Sequence, residues 1–231
     1  MNKFESSSIN WSRPDFLWTL ALFAAQLISY ILPWIVNSGV GLTFNAYDLA
    51  EWSSLHPTAR FVEPVLFTPF LLRVTLSLFT LAWILMLVQL RIAWATWLAG
   101  GITLIVAIAL LPPLEFFTVF RDDINLQQQA ALAVGTLLLG GISLSGVFNR
   151  FQPWLSVGLL AAALVTGLVG LIRARTLMFA LELPVQMGIG VIGFNMLLIS
   201  AIGWLILKGM FAHRSRERNS SRDVKQSAAG A

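Results

Sequence analysis

Asp48, Glu51 and His56 stand close together in one short segment, and two acids with an imidazole are the residue types that bind a divalent cation or relay a proton. Arg60 and Glu63 follow, and Asp122 with Asp123 comes later. Glu115 is a further acid, and Arg73 or Arg121 offers a guanidinium suited to phosphate or carboxylate. None of these spacings matches a standard zinc pattern, so solvated loop charge is the favoured reading and no metal or cofactor is expected. His56 and His213 are the only histidines, which leaves no intramembrane histidine pair for haem. Ser143 and Ser145 have no histidine at their depth to act as a base for serine proteolysis. No two acids lie in mid-span for aspartyl proteolysis. There is no cysteine, which removes disulfides, thiolate metal sites and cysteine nucleophiles. Gly188-Ile189-Gly190-Val191-Ile192-Gly193 matches the dinucleotide fingerprint by letters. It opens an apolar helix instead of following a strand, and no acid stands about 20 residues on, so close helix contact is the better reading.

The elements that must position these residues are membrane helices. The 231-residue chain is 57% hydrophobic and 11% charged, against about a quarter charged in a soluble domain, and its mean hydropathy is +0.78. A crossing needs about 20 apolar residues. Six runs meet that length: 16–36, 69–90, 92–111, 130–148, 154–172 and 188–207. The expected fold is therefore all-α, a polytopic bundle of six transmembrane helices over 1–211, with a disordered basic tail over 212–231. The first run is too long for a signal peptide and lacks a cleavage motif. Ser12 and Pro14 would cap it.

Six crossings put both termini on one side. With the termini cytoplasmic, Lys3, Arg13, Arg91, Arg150, Lys208, Arg214, Arg216, Arg218, Arg222 and Lys225 lie inside, and Arg60, Arg73, Arg121, Arg173 and Arg175 outside. That asymmetry satisfies the positive-inside rule through the tail, which also favours anionic lipid. Trp18, Trp94, Trp97, Trp154 and Trp204 would form one interfacial belt, and Tyr30 and Trp34 the other. The inner connections are a few residues long. The outer ones, 37–67, 112–129 and 173–187, hold seven of the eleven acids and are rich in apolar residues. Asn45 should cap a short helix through Asp48 and Glu51, with Leu49, Trp52 and Leu55 toward the membrane surface. Leu114, Phe117 and Phe120 make a similar apolar edge.

The spans hold no charge in mid-membrane. Gln26 and Asn195 are their candidate polar groups, for interhelical hydrogen bonds or a ligand. Arg73, near the outer end of its span, is expected to pair with Glu63, Glu115 or Asp122. Small residues recur every four positions at Ala21, Ala25 and Ser29, at Ala95, Ala99, Thr103 and Ala107, and at Gly158, Ala162, Thr166 and Gly170. Such stripes pack a bundle or receive a partner membrane subunit. Nucleic acid is not an expected partner, because the positive charge is concentrated in the tail.

Three functions fit these features: a non-enzymatic accessory or assembly component of the cell membrane, which is the leading expectation; a small-solute binding or transport subunit; and an enzyme acting on a lipid-linked substrate at the outer face. The enzyme would use Glu51, Glu63, Glu115, Asp122 or Asp123 with Arg60, Arg73 or Arg121. The architecture of short-looped helices under long outer loops is similar to that of the substrate-binding subunits of energy-coupling-factor vitamin transporters. That resemblance implies a ligand held under the outer loops and a partner docked on the small residues of the first helix, here Ala21 and Ala25.

Overall fold

The computed structural model describes residues 13–39, 41–62, 64–90, 92–148 and 151–229. Eight α-helices stand among the described residues. These are α1 (Arg13–Ile31), α2 (Ala46–Leu55), α3 (Pro57–Phe61), α4 (Phe67–Gln89), α5 (Ala93–Leu110), α6 (Ile124–Leu144), α7 (Gln152–Phe179) and α8 (Ile189–Ala229). Among the described residues four of them, α4, α5, α7 and the Ile189–Met210 part of α8, are long and apolar enough to cross a membrane.

α4 is the central column. Of its apolar window 83% is buried, against 33% for each of the other three, so α5, α7 and α8 turn most of their apolar surface outward. That inside-out distribution is what a lipid solvent permits. Paired contacts fix the order of the helices along the bundle. Gln26 of α1 accepts from the Trp83 indole of α4 (2.6 Å), and Tyr30 donates to the Leu72 carbonyl (3.2 Å). Thr136 of α6 meets Ser77 of α4 (2.8 Å). On α7, Gln152 reaches the Leu85 carbonyl and Thr166 meets Thr75 (2.8 Å). At the far end Lys208 of α8 pairs with Asp15 of α1 (2.5 Å). α1, α4, α5, α6, α7 and α8 therefore alternate in direction, and α1 and α8 run antiparallel.

Small residues set the close approaches. Ala95, Ala99, Thr103 and Ala107 are all buried, and Thr103 occupies the space a Cβ on Gly140 would need. On α7 the buried edge is Ser156, Leu160, Ala163, Gly167, Gly170 and Ala174, so the expected stripe is only half used. Gly170 seats Leu72 and Thr166 bonds Thr75, but Ala162 is half-buried and Gly158 faces open space. On α1 Ser29 is buried, Ala25 half-buried and Ala21 exposed.

At one end the bundle carries a cap. A three-stranded sheet joins β1 (Ile35–Asn37), β2 (Leu42–Phe44) and β3 (Gln186–Met187) in the order β2-β1-β3, both pairs antiparallel. An all-helical reading missed it, because strands of two or three residues leave no periodicity. The sheet ends on the glycines that open α8. The Gly188 and Gly190 amides donate to the Trp34 and Pro33 carbonyls (both 2.8 Å), and a Cβ on either glycine would run into the Pro33 or Leu32 carbonyl. Gly193 rests on Ser29. The glycine pattern is thus a packing device.

Several boundaries differ from the sequence reading. α6 begins at Ile124, not near 130, because Asp123 caps it: its carboxylate accepts from the Asn125 amide (2.8 Å) and the Leu126 amide. α7 runs on to Phe179, so Arg173 and Arg175 lie on its last turns and not in a loop. Their charge is accommodated over the Phe67 and Phe179 rings (5.4 and 5.1 Å). Trp34 and Tyr30 are not a belt. At 0% and 3% exposed they form an aromatic knot with Phe79 and Phe194, ring centroids 5.2–5.9 Å apart. Trp18, Trp94, Trp97 and Trp154 are exposed as an interfacial belt requires. Beyond 212, where the sequence reading expects disorder, the backbone continues as helix to Ala229.

Candidate functional site

The cap end of the bundle brings together Asp48, Glu51, Arg60, Arg73 and Asp123. Asn45 caps α2, its Oδ1 accepting from the Asp48 amide (2.8 Å) while its Nδ2 donates to the Asp48 carboxylate (2.7 Å). α2 buries Ala46, Leu49 and Ala50 against the bundle and leaves Leu55 72% exposed, so Leu49 points inward and not toward the membrane surface. Glu51, one turn past Asp48, is thereby set above the end of α4.

Arg73 is the centre of the arrangement. It lies 1% exposed on α4, donating from Nη1 to Asn125 Oδ1 (2.6 Å) and from Nη2 to Glu51 Oε1 (2.8 Å). Gln129 donates to the same Glu51 oxygen (3.2 Å). Among the described residues the partners of Arg73 are therefore Glu51 and Asn125, not Glu115 or Asp122. Desolvating a guanidinium is tolerable only with such partners. Its Nε has no hydrogen-bond partner. The Glu51 side chain is 40% exposed, so this pair has a dry end and a wet end.

A second pair lies beside it. Arg60 of α3 donates to Asp123, the α6 cap, at 2.5 Å, with side chains 34% and 28% exposed. Burial alone would lift the Asp123 carboxyl, but the Arg60 hydrogen bond and the Asn125 and Leu126 amides hold it below the usual carboxylate range. A half-solvated pair of this kind contributes only about 0–1 kcal/mol.

Between the pairs is an open cavity of about 600 Å³. Its polar wall is Tyr47, Glu51, Arg60, Asp123, Asn125 and Gln129. Leu55, Leu111, Pro113, Phe120 and Leu126 give it an apolar flank. Burial, with the nearby Glu51 charge, pushes the Tyr47 phenol above its ordinary pKa, so it remains a neutral donor at neutral pH. The volume is within the range of small-ligand sites.

The structure thus gathers Glu51, Arg60, Arg73 and Asp123, and of the other described candidates it brings none into the cavity wall. Asp48 is spent in its capping pair. His56 is the cap of α3, its Nδ1 accepting from the Thr58 amide (3.2 Å) and its ring against Trp52 (5.7 Å). Asp48, Glu51 and His56 do not converge: among the described residues no group of three His, Cys, Asp or Glu is placed to hold a metal ion. Asp122 is exposed beside the cavity, and Glu63 lies outside the described residues. Gln26 and Asn195 lie away from the cavity, Gln26 accepting from Trp83 of α4 (2.6 Å) and Asn195 donating to the Val191 carbonyl of its own helix (2.8 Å). Sequence reasoning missed Tyr47, Asn125 and Gln129. Taking Asp123 as a helix cap would have placed Asn125 and Gln129 four apart on one face.

No known protein family, curated protein or solved structure matches the chain.

Proposed function

We propose that the protein is a six-pass, non-enzymatic protein of the cell membrane that binds a small ligand in the cavity beneath its external cap. The observation that carries this is the cavity itself, whose polar wall rests on a guanidinium withdrawn from water. α1, at 19 residues, and α6, at 21, are each about 30 Å long at 1.5 Å per residue, enough to join the four more apolar helices as crossings. The Asp15–Lys208 pair keeps the start of α1 beside the later part of α8, as an even number of crossings requires. Both termini are then cytoplasmic by the positive-inside rule, and the cap is outside.

The enzymatic reading is weaker. Each base in the wall is matched to an acid, and the histidine nearby has its Nδ1 engaged in capping. An accessory role has one supporting observation, the Gly158 edge of α7 left open beside half-buried Ala162. The cavity moves the weight from that leading expectation to ligand binding.

A thermal-shift screen of the detergent-solubilised protein tests the reading, using amino acids, polyamines, phospho-alcohols and short-chain phospholipids. At least one compound should raise the Tm of the wild type but not of Leu126→Trp, which fills the cavity. No shift from any compound contradicts the reading.

A further inference from the structure

The cavity wall is electrically closed. Glu51 is neutralised from behind by Arg73, and Asp123 from beside by Arg60. A ligand with net charge would leave one of these four groups without a counter-charge in a partly dry space. A ligand with no charge would leave both pairs as they are and gain nothing from them. A zwitterion does neither, because it can enter a pair and complete both halves.

The two pairs are not equally easy to enter. Arg73 is fully buried, and separating it from Glu51 would strand it. Arg60 and Asp123 are both about one-third exposed, and they come from different elements, α3 and the start of α6. That pair is the exchangeable one. Arg60 suits an anionic oxygen, for which its planar fork is shaped. Asp123 suits an ammonium. Glu51 stands on the same wall, with its hydrogen bonds from Arg73 and Gln129 both on Oε1 and much of its side chain exposed. The flank is formed by Leu55 at the end of α2, by Leu111, Pro113 and Phe120 between α5 and α6, and by Leu126 in the first turn of α6, and an acyl chain would leave the site along it.

Resting on the ligand-binding reading above, we infer that the ligand is a zwitterionic amphiphile with a primary ammonium and a phosphate-type anion, inserted between Arg60 and Asp123 with its tail along the apolar flank. The same head chemistry exists in free zwitterions, so the test separates head from tail.

The full chain carrying Leu126→Cys as its single cysteine is labelled in detergent with a fluorescent maleimide. The probes are dihexanoyl phosphatidylethanolamine, dihexanoyl phosphatidylglycerol (the same chains, net negative), dihexanoylglycerol (no charge) and O-phosphoethanolamine (no tail). At about ten times its Kd the phosphatidylethanolamine should slow labelling about tenfold, and the other three should do so far less. Adding Arg60→Gln or Asp123→Asn should abolish the protection, Asn being chosen because it still caps α6. Equal protection by phosphatidylglycerol or dihexanoylglycerol, or protection that survives both substitutions, overturns the inference and leaves the cavity reading standing. Protection by O-phosphoethanolamine alone overturns the amphiphile and keeps the zwitterion. No protection by any probe overturns the inference, while the cavity reading stands or falls separately with the thermal-shift screen.

Discussion

The Arg73 guanidinium is 1% exposed and donates to a Glu51 carboxylate that is 40% exposed, 2.8 Å away on a different element. One partner belongs to the dry bundle and the other to the cavity wall. The cap is thus fastened to the helices by the same bond that shapes the site.

Removing one half of that bond should cost more than removing both. Glu51→Gln strands a buried charge. After discounting for the solvent on the Glu51 side, it should destabilise by about 1–3 kcal/mol, below the 3–5 of a fully buried pair. Arg73→Met with Glu51→Gln should recover most of that loss. Thermal melts of the two single variants and the double variant measure it, and additive losses would show that the pair is not coupled.

Two glycines should respond in opposite directions to alanine. Gly190→Ala drives a Cβ into the Leu32 and Pro33 carbonyls, backbone that cannot turn aside, and should cost about 1–3 kcal/mol or prevent folding. Gly158→Ala meets nothing within 4 Å on an exposed helix face and should gain about 0.5–1 kcal/mol. Tm and yield of folded protein in detergent distinguish them.

Acid should release the α3–α6 connection. Asp123 is held below its ordinary value of 3.8, so the folded chain takes up this proton less readily than the unfolded one. The contribution is complete only well above 3.8 and is lost as pH falls below it through the lower folded value. The Tm advantage of the wild type over Asp123→Asn should begin to shrink below about pH 5 and go on shrinking as the pH falls through about 3. A constant advantage across that range would show that Asp123 does not carry it. Asp123→Ala should fall below Asp123→Asn by about 1 kcal/mol at every pH, because it also loses the cap.

How much of this was legible in the sequence depends on the period of each signal. The apolar runs around Leu76, Ile105, Val165 and Leu198 announce helices whatever their neighbours do, because a membrane crossing is a property of composition. Arg73 stood out for the same reason, as a charge at the edge of such a run. Its partners did not, since Glu51 and Asn125 lie 22 and 52 residues away and only the tertiary fold brings them together. Trp34 and Tyr30 were misplaced because an aromatic near a span end reads alike whether it faces lipid or another helix. The three-residue strands carry no pattern, and Gln186–Met187 becomes a strand only through Ile35 and Val36.

On the proposed six-pass topology, the cavity beside Glu51 should open to the external medium. The cysteine-free chain allows a direct measurement: labelling of single-cysteine variants in intact cells with a membrane-impermeant maleimide. Leu55→Cys and Leu126→Cys at the cavity should label from outside, and Ser145→Cys, at the opposite end of α6, only after permeabilisation. Cavity cysteines that label only after permeabilisation, or a Ser145→Cys that labels from outside, would contradict the account.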